Sequence, residues 1–124
     1  MQGDELTGAI IGAAIEVHRG LGPGLLESAY DQCLRHELGL RGIRFQYQVP
    51  IPVNYKGAVI ADAYRADLLV EDQVVVELKA LSAIEPIHAA QLLTYLRLLK
   101  RRIGLLINFN VPVLRDGIRR MIND

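Results

Sequence analysis

At 124 residues, with 14 basic against 14 acidic side chains, the chain has length for one domain and one core and is too short for two. The neutral balance excludes a chain-wide electrostatic case for a polyanion partner, so any nucleic acid must meet a local patch. Hydrophobic residues at 51% and a mean hydropathy of +0.20 point to a partner or a homodimer, while no apolar run approaches the roughly 18 residues of a membrane span.

The opening "MQGDELTGAI" is acidic and lacks a signal-peptide layout, which gives a cytoplasmic expectation. Residues 5–19 place Leu6, Ile10, Ala13, Ala14 and Val17 on one helical stripe. "GLGPG" at Gly20–Gly24 breaks this helix. It is no nucleotide-binding loop, because no strand precedes it and no Lys-Ser/Thr follows. A second helix follows, "LLESAYDQCLRHELGL", with Glu27, Tyr30 and Leu34 on one face. Its Cys33, the sole cysteine, reads as a small core side chain.

From Ile43 the period changes to two. "IRFQYQVPIPVNY" is a half-buried strand, and Pro50 and Pro52 put its edge outward. "VIADAYRADLLV" and "VVVELKAL" are two more strands, joined through "EDQ". "IHAAQLLTYLRLLKRR" is a helix with its basic residues at the C-terminal end, and "IGLLINFNV" is a buried strand. The tail "LRDGIRRMIND" is expected to be a short helix. The order α-α-β-β-β-α-β predicts an α/β or α+β domain, a sheet with helices packed on it.

The hairpin between the second and third strands decides where its charges face. With a two-residue turn, Glu71–Asp72, Asp67 lies across from Val76 and on the opposite face from Glu77. With a three-residue loop, Glu71–Gln73, Asp67 meets Glu77 and Arg65 meets Lys79. The longer loop, or an equivalent β-bulge, leaves Leu68, Val70, Val74, Val76 and Leu78 as one apolar face and gathers Arg65, Asp67, Glu77 and Lys79 on the other. That segregation favours it.

Opposed carboxylates repel unless a cation lies between them. Asp67 and Glu77 are therefore candidate ligands for Mg²⁺ or Mn²⁺, hard ions that take a few oxygen ligands and bind phosphate. Lys79 on the same face would orient or deprotonate a water or stabilise charge on phosphate. The same spacing also fits a solvent-facing sheet surface with cross-strand salt bridges.

An acid on an early helix (Glu27), an Asp on a strand (Asp67), "ELK" at Glu77–Lys79 on the next strand and "QLLTY" at Gln91–Tyr95 on the following helix resemble the PD-(D/E)XK nuclease superfamily. The last element is similar to the QxxxY motif of its RecB-type and lambda-exonuclease branch. "GLLESAY" at Gly24–Tyr30 resembles the signature of the small GxxExxY family, and the likeness extends from "LTGAIIGAAIEVHRGLGPGLLESAY" through "HAAQLLTYL" to "LLINFNVP". One departure is Ala66 before Asp67, where the superfamily's nominal motif has proline.

The resemblance implies a restriction-endonuclease-like mixed sheet flanked by helices. Asp67 and Glu77 would be metal ligands, with the Leu78 carbonyl a further one. Lys79 would be catalytic, and Glu27 an additional acid, in catalysis and as a further metal ligand. Gln91 would support the metal site or the substrate backbone, with Tyr95 packed beside it. Tyr30 reads as packing support for Glu27. His18 and His88 are structural candidates near a turn and a helix start. Lys100–Arg102 and Arg115, Arg119 and Arg120 form two basic clusters that suit phosphate or simply solvent. Three functions stand side by side: a metal-dependent nuclease acting on DNA or RNA, a catalytically silent nucleic-acid or protein interaction module on the same fold, and a structural homodimer whose charged sheet face is salt-bridged surface.

Overall fold

The computed structural model describes residues 1–124. Helices α1 (Gly3–Leu21) and α2 (Glu27–Leu40) lead into a meander of β1 (Phe45–Tyr55), β2 (Ala58–Val70) and β3 (Val74–Lys79). Helix α3 (Pro86–Leu99) then crosses over to β4 (Ile103–Asn108). The five strands, the last being β5 (Ile118–Ile122), stand in the order β1-β2-β3-β4-β5, all neighbours antiparallel except β3 and β4. The expected succession of helices and strands is the observed one. No helix is long and apolar enough to cross a membrane.

One difference lies in the tail. Only Leu114–Gly117 is helical, as a 3₁₀ turn, and Ile118–Ile122 forms β5 along β4, from Ile107↔Ile118 to Ile103↔Ile122. Ile118 and Ile122 lie four apart, a spacing that suits one helical face as well as one strand face. The open edge of β4 settles the matter, because its backbone groups need partners. Gly117 permits the close approach: any side chain there would run into the Asn108 carbonyl.

The sheet separates two apolar layers. On one side Leu6, Ile10, Ala13, Ala14 and Val17 of α1 and Tyr30, Leu34 and Leu38 of α2 pack on Leu68, Val70, Val74, Val76 and Leu78. On the other, Leu92, Tyr95 and Leu96 of α3 cover Ile51, Ala66, Leu69, Val75 and Leu106. Cys33 is exposed, against the core reading. The buried stripe Tyr30–Leu34–Leu38 turns the residue just before Leu34 about 100° away from the sheet.

The β2–β3 register is that of the three-residue loop, with Val70↔Val74, Leu69↔Val75 and Leu68↔Val76 paired. Glu71 and Asp72 enter the left-handed region at φ 50 and φ 56, and Glu71 accepts the Arg44 N–H at 2.6 Å. Strand β1 is an edge, as Pro50 and Pro52 require. Beyond β3, the β1–β2 ribbon continues alone and exposes Tyr55, Val59, Ile60 and Tyr64.

Candidate metal centre

Two strands part at the centre of the site. Past Leu68↔Val76 the β2–β3 ladder stops, and carboxylates take over the cross-strand bonding. The Asp67 N–H donates to Glu77 Oε1 at 2.9 Å, and the Leu78 N–H donates to Asp67 Oδ2 at 2.8 Å. Each acid is thus clasped by the other's strand, which fixes both side chains before any ligand arrives. A strand residue directs its N–H and C=O to the same side, so the Leu78 carbonyl also faces this gap.

A backbone irregularity in β1 accompanies the parting. Gln48 has φ 51 inside the strand, and no Gln48–Asp67 pair forms between Tyr47↔Leu68 and Val49↔Ala66. The ribbon twists here: Leu68 joins the α1/α2 layer, whereas Ala66 joins the α3 layer. Bulges of this kind re-aim side chains beside sites.

Burial makes the clasp electrostatically costly. Glu77 is only 6% exposed, and desolvation followed by the Asp67 charge pushes its pKa up to about 8. Desolvation likewise raises Asp67, although the Leu78 N–H pulls it back. Lys79, half-buried at the end of β3, acts in the lowering direction on Glu27, Asp67 and Glu77. The pair titrates as a unit. A buried carboxylate (Glu77), a half-buried one (Asp67) and a strand carbonyl form a hard-oxygen donor set suited to a small divalent cation. The cation's charge would offset the repulsion. No three Asp, Glu, His or Cys side chains converge in metal-binding geometry, so Glu27 does not complete a three-acid cluster with Asp67 and Glu77.

Glu27 opens α2 at the same end. It keeps solvent contact, yet the surrounding protein and then Asp67 raise its pKa, while Lys79 lowers it. Tyr30 sets its place. The Tyr30 hydroxyl donates to the Gly22 carbonyl at 2.6 Å and accepts the Leu25 N–H at 3.1 Å, while its ring stacks on Phe109 at 4.5 Å. His18 meets the Val111 carbonyl through Nε2 at 2.8 Å, closing the adjoining loops. Tyr30→Phe is expected to cost about 1–3 kcal/mol by stranding these two partners, read as a lower urea midpoint with unchanged helical circular dichroism. An unaltered midpoint would show that the hydroxyl does not anchor the loop.

From α3, buried Tyr95 feels the acids: its pKa is raised by desolvation and then by the Glu77 charge, and its ring lies 5.7 Å from that of Tyr64 on the ribbon. Gln91, one turn earlier, is half-buried. His88 belongs to the helix cap: its Nδ1 accepts the Glu85 N–H at 2.9 Å. The cluster Lys100–Arg102 precedes β4 and so sits at the other end of the sheet, its nearest member Arg102 six residue steps, about 20 Å along the strands, from the Asn108 that pairs with Lys79. Arg101 is engaged there with Asp72 at 2.7 Å, and Arg120 with Asp4 at 2.7 Å.

Two residues near the centre escaped the sequence reading, Gln48 and Asn108. Gln48 looks like any polar strand residue, and its backbone angle has no local signal. Asn108 was hidden within a hydrophobic strand, where a lone buried amide is itself the available clue.

A family model described as the PD-(D/E)XK nuclease superfamily matches residues 4–121. No curated protein matches, and no solved structure does.

Proposed function

Because the chain belongs to the PD-(D/E)XK nuclease superfamily, we propose that it is a divalent-metal-dependent phosphodiesterase acting on DNA or RNA, and that within the superfamily it is a GxxExxY protein. The carrying observation is the reciprocal clasp of Asp67 and Glu77 where β2 leaves β3, with Lys79 two residues beyond Glu77. The GxxExxY reading is supported by "GLLESAY", whose tyrosine holds the loop leading to its glutamate.

Asp67, Glu77 and the Leu78 carbonyl would hold Mg²⁺ or Mn²⁺. Such an ion, when bound, supplies Lewis acidity towards a phosphoryl oxygen and lowers the pKa of water. Lys79 would place its ammonium beside the phosphate, steadying developing negative charge or orienting the attacking water. Glu27, at the solvent side, would offer a further acceptor for a proton. Gln91 would hold the substrate backbone, and Tyr95 would shield the Glu77 side of the centre from water. A second copy of the chain is the partner we propose for the exposed Tyr55, Val59, Ile60 and Tyr64 of the ribbon, in keeping with the mean hydropathy, and the cytoplasm is the compartment proposed.

The test incubates the protein with plasmid DNA, single-stranded DNA and RNA, in Mn²⁺, Mg²⁺ or EDTA, alongside calorimetric metal titration. Metal-dependent cleavage of at least one substrate is expected, with both cleavage and Mn²⁺ binding lost in Asp67→Asn. Metal binding without cleavage would move the reading to a silent interaction module. Absence of Mn²⁺ binding above the Asp67→Asn control would end the metal reading.

A further inference from the structure

Strand β3 ends at Lys79, yet Leu81, two residues on, remains held. The last main-chain bond of the β3–β4 ladder runs from the Phe109 N–H to the Lys79 carbonyl at 2.9 Å. Beyond it the side-chain amide of Asn108, the residue paired with Lys79, continues the ladder. Its Oδ1 accepts the Leu81 N–H at 3.0 Å, and its Nδ2 donates to the Leu81 carbonyl at 3.0 Å. Oδ1 also accepts the Asn110 N–H at 3.2 Å, and the Asn110 amide donates to the same Leu81 carbonyl at 3.3 Å.

A primary amide presents a donor and an acceptor side by side, as a peptide group does. Asn108 therefore acts as one extra rung, and it is 2% exposed, where each of these bonds is dear to lose. An aliphatic residue would give no rung, and a carboxylate would face the Leu81 carbonyl with no donor.

We propose that Asn108 is a positioning residue: it fixes the main chain on the C-terminal side of Lys79 and so aims that side chain at the clasped acids. The proposal rests on the nuclease reading for its catalytic consequence and on the hydrogen bonds alone for its mechanical one. Misplacement of a catalytic group by about 1 Å can cost some 100-fold in rate, and groups that orient a site from outside it contribute about 10–100-fold.

The experiment compares Asn108→Ala, Asn108→Asp and Ile107→Val, the last a core change on the same strand that leaves the rung intact. Single-turnover cleavage of plasmid DNA in Mn²⁺ is expected to fall about 10–100-fold in Asn108→Ala. Half-saturating DNA and Mn²⁺ concentrations should stay within about twofold of wild type if only orientation is lost. Asn108→Asp keeps both N–H acceptors and should recover part of the rate; it also decides the matter if the alanine variant does not fold. Wild-type rates in Asn108→Ala, or an equal loss in Ile107→Val, would overturn the proposal. Should the wild-type protein cleave nothing, the nuclease reading fails separately, and NMR judges the rung. Faster motion of the Lys79 ε-methylene and lost amide protection at Leu81 in Asn108→Ala, absent in Ile107→Val, would uphold it. An unchanged Lys79 would refute it.

Discussion

Lys79→Ala is expected to fold and to lose cleavage by about 10²–10⁴-fold, the range for removal of a group that handles a proton or charge in the transition state. The fold should stand because Lys79 is the last residue of β3 and half-buried, and no ion pair of the protein includes it. Its main-chain bond with Phe109 survives truncation of the side chain. The loss should fall on kcat, with Mn²⁺ affinity retained, since the ammonium is not a ligand. Thermal melting, calorimetry and single-turnover cleavage separate the three quantities. Cleavage at the wild-type rate in this variant would remove Lys79 from the chemistry.

Glu77→Gln should have opposite effects on activity and stability. Burial, and then the Asp67 charge, push the carboxylate's pKa up to about 8 from its ordinary 4.5. The native state therefore retains a proton that the unfolded chain releases, so the group's favourable contribution is full below pH 4.5 and is lost as pH rises to 8. At 1.36 kcal/mol per pH unit the loss has a ceiling of about 5 kcal/mol. In EDTA the wild-type melting temperature should fall across this window. Glutamine keeps an Oε1 to accept the Asp67 N–H and carries no charge, so the variant should show a flatter profile and melt higher than wild type at pH 9. Mn²⁺ at about 100 times its Kd adds about 2.7 kcal/mol to a protein that binds it; wild type should gain this and Glu77→Gln should not. The variant should also lose metal-dependent cleavage. A wild-type melting temperature that holds level from pH 5 to 9 in EDTA would contradict the buried-acid account.

Much of this was legible along the chain because it follows from periodicity. The α1 stripe is the run of residues that packs on the sheet. The β2–β3 register was recoverable because only the longer loop separates the valines and leucines from the charges, and that separation is the one the core enforces. Legibility ended where partners come from afar. Ile118 and Ile122 satisfy two periods at once, and the free edge of β4 chose between them. Cys33 sits one position off the Tyr30–Leu34–Leu38 stripe, and the docking of α2 buries that stripe alone. The Asp67–Glu77 pairing could be anticipated from register, but not the exchange of each acid with the opposite main chain. The basic run Lys100–Arg102 gave no hint of its distance from the acids, because a parallel crossover is needed to set it.

The crossover also orders the site in time. The three-residue turn that brings Asp67 and Glu77 together closes a short loop, which a chain finds quickly, whereas β4 can align with β3 only after the intervening helix has docked. The acids can therefore meet early in folding, while Lys79 gains its Phe109 anchor and its Asn108 rung only with the non-local pairing. Competence for chemistry would then depend on the non-local half of the sheet, since the hairpin alone can assemble the carboxylates but cannot aim the lysine.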